Sequence, residues 1–151
     1  MLVYRIAGTT HIHDLSGSGA RMYGGRWNHK GVGVVYTSES RSLATVEFLV
    51  HVSIPYIPAN LSITSIEISD RIKPKTVSMS MLPDDWRDYP ALSELADLGT
   101  KWVLTNESLM LRVPSSVVEH EFNILINPLH HDMRHVKIIH VEDYSLDKRL
   151  L

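Results

Sequence analysis

Val34-Val35-Tyr36-Thr37-Ser38-Glu39-Ser40-Arg41-Ser42-Leu43-Ala44-Thr45-Val46-Glu47-Phe48-Leu49-Val50-His51-Val52 changes its structural period along its length. Val34-Val35-Tyr36 reads as a short apolar strand. From Ser38 to Val52 the spacing predicts a helix, whose free N–H groups can be capped by the hydroxyl of Ser38 or of Ser40. At about 100° per residue Glu47 projects close to Leu43 and Val50, with Val46 flanking, so a carboxylate turns inward with apolar neighbours. A buried carboxylate without partners is costly, so Glu47 needs a cation, hydrogen-bond donors or a cleft that admits solvent. The plain alternative is an ion pair with a nearby arginine. His51, one turn on, is within reach of Glu47, and packing or hydrogen bonding is the role expected of it.

Before this stretch stands Gly19-Ala20-Arg21-Met22-Tyr23-Gly24-Gly25-Arg26-Trp27-Asn28. Glycines let a backbone close tightly around a side chain, and the planar fork of an arginine matches phosphate geometry, so Arg26 reads as an anion-binding residue. Arg21 and Arg5 either share that anion contact or pair with carboxylates. Trp27 and Asn28 read as structural, one packing and one closing a turn. Tyr36, at the strand end, offers a flat ring with a polar tip, suited to stacking on another planar ring.

The rest of the chain supplies more strands than helices. Leu2 to Ile6 reads as a first strand, and the polar run from Thr9 to Gly33 is a long connection of the kind that carries function. Leu61 to Ile68 reads as a strand with a change of phase between Ile63 and Ile66, which predicts a bulge or burial on both faces. A second helix is expected from Pro90, with Leu92, Leu95, Ala96 and Leu98 on one side and Gly99 ending or weakening it near Trp102 to Thr105. Leu109 to Val113, Glu121 to Ile126 and Val136 to Val141 read as further strands. With few regular crossover helices, this pattern predicts a mixed α+β domain rather than a doubly wound one.

With 151 residues the chain fits one domain, able to bury about two-thirds of the surface its unfolded form exposes. A formal net charge of −2 gives no global reason to bind nucleic acid. The absence of cysteine excludes disulfides, a thiolate nucleophile and thiolate zinc sites. No stretch is long and apolar enough for a membrane span and the first residues do not read as a secretion signal, so the expected location is the cytoplasm. His130, His131 and His135 match no zinc motif, and no metal is expected. Nor is there a P-loop, or a GxGxxG between strand and helix.

GARMYGGRWN, VVYTSESRSLATVEFLVH and LRVPSSVVEHEFNILINPLHHD resemble, in that order, the signature blocks of the RES domain family, and the resemblance runs from Tyr4 to about Ile139. Glu119 and His131 stand where that family often has proline. The resemblance implies a bacterial toxin of a toxin–antitoxin system, a fold related to ADP-ribosyltransferases over residues 1–151, and NAD as substrate. It implies an Xre-type helix-turn-helix antitoxin as partner and allows a homodimer within the toxin–antitoxin complex. It also carries roles residue by residue: Glu47 matches the catalytic glutamate, Arg26 the arginine of the GGRWN motif, and Ser115 the serine that orients a ribose, with Ser116 as its one-residue alternative. The expected reaction breaks the nicotinamide–ribose bond, with Arg26 on the diphosphate, Tyr36 stacked on the nicotinamide side, Glu47 stabilising the ribosyl cation, and Arg21 as a further NAD contact. Water, phosphate or a protein side chain is the acceptor, making the enzyme a glycohydrolase, a phosphorylase or an ADP-ribosyltransferase. The competing readings are a non-catalytic antitoxin-binding module and an RNA-cleaving toxin; the charge balance and lack of a basic aromatic platform weigh against the latter.

Overall fold

The computed structural model describes residues 1–151. Strand β1, Leu2–Gly8, leads into a polar segment that holds a single 3-10 turn and the short helix α1, Ser18–Tyr23. Strand β2, Val35–Ser38, is followed by helix α2, Arg41–His51. Ser40, not Ser38, caps α2, its Oγ accepting the N–H of Leu43. Then come β3, Leu61–Ile68; β4, Lys75–Thr76; helix α3, Ser93–Leu104; β5, Met110–Pro114; β6, Phe122–Ile126; and β7, Val136–Tyr144. The expected strands are all present with shifted ends. β4 is the exception that sequence reading missed, because two exposed residues carry no alternation to read.

The strands form one sheet in the order β4-β5-β6-β2-β1-β3-β7, antiparallel throughout except for β4 against β5. Antiparallel neighbours need no crossover helix, which is why this α+β arrangement has long strands and few helices. The phase change in β3 is a register shift against β7 between Ser65 and Ile66, and β3 is also buried on both faces over most of its length.

Side-chain alternation sorts the sheet into two faces. Tyr36 opposes Leu125 and Ser38 opposes Asn123 on one of them, while Val35 opposes Ile126 and Thr37 opposes Ile124 on the other. On the first face Leu95, Trp102 and Val103 of α3 pack with Leu111, Val113, Leu125 and Trp27. The second is filled by Val3, Val35, Ile66, Ile68, Met110, Ile124 and Ile126, with Leu15 and Ile72 from the connections packed against them. Gly99 does not end α3. It lies buried within the helix, where a Cβ would stand 1.8 Å from the carbonyl oxygen of Trp27. Only glycine lets helix and loop meet this closely, so α3 fixes the loop that carries Arg26.

One join in the sheet is different from the others. β1 pairs with β3 along its whole length, and β2 does the same with β6. Between β1 and β2 the single paired position is Tyr4 opposite Ser38. Beyond it the two strands diverge and the sheet opens.

Candidate active site

A cleft of about 490 Å³ occupies this divergence, between α2 on one side and the Gly17–Arg26 segment on the other. Its size falls within the roughly 300–1,000 Å³ of small-molecule sites. Arg26, Tyr36 and Glu47 all line it, so residues separated in the sequence meet at one site.

α2 is oriented by its buried Leu43, Ala44 and Thr45. Arg41 pairs with Glu142 at 2.6 Å, and the Thr45 hydroxyl meets that of Tyr144 at 2.5 Å. Both contacts dock the helix on β7. Val50 is 55% exposed, so the inward face expected from Leu43 to Val50 is rotated and Glu47 faces the cleft with Ala44, Phe48 and His51.

The Glu47 side chain keeps 15% of its surface exposed. Its Oε1 accepts hydrogen bonds from Ser115 Oγ at 2.7 Å and from Asn123 Nδ2 at 2.6 Å. Oε2 lies 3.4 Å from His51 Nε2. Burial pushes the carboxyl pKa up, but hydrogen bonds from His51, Asn123 and Ser115 outweigh it and hold Glu47 below the usual glutamate value. Donors, not an arginine, satisfy this carboxylate.

Arg26 is fixed by its own loop contacts. Its Nη1 donates to the carbonyls of Trp86 at 2.8 Å and Asp88 at 3.2 Å. Burial lowers its pKa and the charge of Glu47 opposes that shift; the guanidinium remains a cation, and only Nη1 is hydrogen-bonded within the chain. Around it the turn is rigid. The Trp27 N–H donates to the Tyr36 hydroxyl, which donates in turn to Asn28 Oδ1, while Asn28 Nδ2 donates to the carbonyls of Ala20 and Val32. A Cβ at Gly25 would lie 2.7 Å from the Tyr36 hydroxyl, so that position is closed to larger residues. Trp27 and Asn28 are structural, as expected. Burial raises the Tyr36 pKa, and its hydroxyl is spent on this turn, which leaves the ring as its contribution to the cleft wall.

Three expected contacts are placed differently. Arg21 does not line the cleft; its Nη2 donates to the Ser16 carbonyl, because α1 turns it toward the preceding loop. Arg5 does line the cleft, yet its Nη1 is engaged by the carbonyls of His11 and Ile12. Ser115 is buried behind the cleft rather than in its lining. Its Oγ accepts the N–H groups of Val117 and Val118 while donating to Glu47, so it touches the carboxylate and not the cleft space where a ribose would sit. Ser116 instead offers its carbonyl to Arg87, which pairs with Glu119 at 2.7 Å.

Asn123 and Ser38 were missed by sequence reading. The available signal was a lone amide within the otherwise apolar Phe122–Ile126, on the face shared with Leu125. His130, His131 and Asp132 bring possible ligand atoms within 4.8 Å of one another, away from the cleft lining. His130 Nδ1 already accepts the Asp132 N–H, which explains the cluster as a cap on a 3-10 turn.

Comparison with known proteins bears on the family and the fold. The family model described as "RES domain" matches residues 2–147. The chain is 36% identical over 147 residues to the Prs ADP-ribosylating toxin of Sphingobium sp., covering 96% of this chain and 91% of that protein. It is 38% identical over 135 residues to Toxin Res of Yersinia enterocolitica, covering 86% of each. The fold is similar to a chain in the crystal structure of the M. tuberculosis MbcT–MbcA toxin–antitoxin complex, with a TM-score of 0.79, 18% identity and coverage of 95% of this chain and 84% of that one.

Proposed function

The chain belongs to the RES domain family, and on that premise we propose that it is the toxin of a type II toxin–antitoxin system that breaks the nicotinamide–ribose bond of NAD. The single observation that carries this reading is the Glu47 carboxylate, held on one oxygen by Ser115 and Asn123 and facing a cleft whose other wall bears Arg26. Arg26 binds the diphosphate through Nε and Nη2, and the Tyr36 ring flanks the nicotinamide. As the C1′–N bond breaks, its electron pair leaves with nicotinamide and neutralises the pyridinium charge. Positive charge then develops on the ribose, as in a glycosidase transition state, and Glu47 is the fixed anion that opposes it. Ser115 acts through Glu47, and Arg21 is withdrawn from the set of NAD contacts. The acceptor that completes the reaction is water, inorganic phosphate or a protein side chain. The departure itself needs no Lewis acid, because nicotinamide leaves as a neutral molecule.

Nicotinamide release from NAD, followed by chromatography with water, phosphate and protein extract as acceptors, tests this reading. The wild-type chain releases nicotinamide, and Glu47→Gln lowers turnover on the order of a hundredfold, the size of a lost transition-state electrostatic contact. Absence of release by folded protein with every acceptor, or full activity in Glu47→Gln, overturns it.

A further inference from the structure

The two oxygens of Glu47 are not equivalent. Oε1 accepts from both Ser115 and Asn123 at 2.7 and 2.6 Å, which occupies both of its in-plane lone pairs. Oε2 has only His51 near it, at 3.4 Å, on a side chain that is 60% exposed. A carboxylate can only accept, so the amide of Asn123 must turn Nδ2 toward Glu47 and Oδ1 away. Oδ1 is met by the Ser38 hydroxyl, which donates to it at 2.7 Å. Ser38 is buried, and it occupies the single position at which β1 and β2 pair. The order of contacts therefore runs from the join of the sheet, through Ser38 and Asn123, to one oxygen of the carboxylate.

We infer that Asn123, oriented by Ser38, is a positioning residue that with Ser115 commits Oε1 of Glu47 to the protein and leaves Oε2 as the oxygen that meets the ribose. The assignment of Oε2 to the ribose rests on the proposed NAD cleavage; the anchoring of Oε1 does not. A ribose hydroxyl has no free lone pair to use on Oε1, whereas at Oε2 it displaces only a long contact to a solvent-exposed imidazole. His51 on α2 and Arg26 across the cleft are the groups whose charge couples to Glu47, Arg5, Asp14, Tyr4, Tyr23 and Tyr36 are the other titratable groups of the cleft lining, and all remain in the variants below.

The test reads the Glu47 carboxyl directly, by carbon-detected NMR titration of the free protein, beside steady-state kinetics. A hydrogen bond to the charged form holds a carboxyl pKa down, so removing one raises it. Asn123→Ala moves the Glu47 titration and the acid limb of kcat/KM upward, and lowers kcat about tenfold while KM for NAD changes less. Ser38→Ala moves both in the same direction by a smaller amount, since the amide remains but loses its orientation. A folded Asn123→Ala protein with the wild-type titration and kcat overturns the inference. If that variant does not fold, an unchanged titration in Ser38→Ala does so. If the titrations move as stated but the wild type releases no nicotinamide, the anchoring of Oε1 stands and the ribose assignment falls with the NAD reading.

Discussion

Arg26 shows how much a single side chain is asked to do at this site. One nitrogen is tied to the carbonyls of Trp86 and Asp88, and the side chain lines the cleft. A lysine has one ammonium group and cannot hold that loop and clamp a diphosphate in one geometry. Arg26→Lys is expected to raise KM for NAD by about tenfold and to lower kcat by less, because the diphosphate contact is remote from the breaking bond and is made in both ground and transition states. Arg21→Lys is the control, and with its guanidinium on the Ser16 carbonyl it leaves both constants near wild type. Steady-state kinetics, with circular dichroism to verify folding, checks this; an intact KM in Arg26→Lys removes the arginine from the diphosphate. Arg26 and Glu47 were legible in the sequence because each breaks a local pattern, a cation among glycines and a carboxylate in an apolar helix. Asn123 and Ser38 break theirs only faintly, and their meaning depends on a partner across the sheet.

At the scale of elements, α3 and the Arg26 loop are joined at Gly99. An added Cβ there meets the backbone oxygen of Trp27, which cannot swing aside as a side-chain tip can. Gly99→Ala is expected to destabilise the fold by about 1–3 kcal/mol or more despite the better helix propensity of alanine. Urea unfolding reads the effect, and a midpoint at or above wild type refutes the close packing. Read from the sequence, Gly99 either ends the helix or weakens it. The helix continues because Trp102 and Val103, beyond the glycine, are buried in the same core as Leu95. α2 was read with its cap one of two serines and its inward face through Val50. Ser38 is held in β2 with its hydroxyl on Asn123, which leaves Ser40 as the cap, and Val50 lies exposed; neither outcome is contained in any propensity of α2 itself.

The whole molecule is a sheet opened at one join, and the cleft is the consequence. An opening lined by a guanidinium is accessible to a carboxylate as well as to a diphosphate. We propose that an Xre-type antitoxin inhibits by laying a peptide segment into or across this cleft. The chain expressed alone is then expected to arrest growth. Co-expressed with a helix-turn-helix partner, it is expected to co-purify with it and to be protected from NAD turnover. Tight binding that leaves nicotinamide release unchanged rules out occlusion of the cleft.

Local period and residue chemistry in the chain were enough to fix the α+β class, most of its strands, both principal helices and the acid and cation that face the cleft. These are properties of neighbouring residues, and 3.6- and 2-residue periods report them directly. The divergence of β1 from β2, the seat of Ser115 behind rather than inside the cleft, the exclusion of Arg21 and the pairing of Asn123 with Glu47 all came from the folded chain. Ser115 and Asn123 reach Glu47 across 68 and 76 residues of sequence, through strand registers set by the packing of two faces at once. Contacts at that separation leave no period behind, because the energy that selects them belongs to the assembled sheet and not to any segment of it.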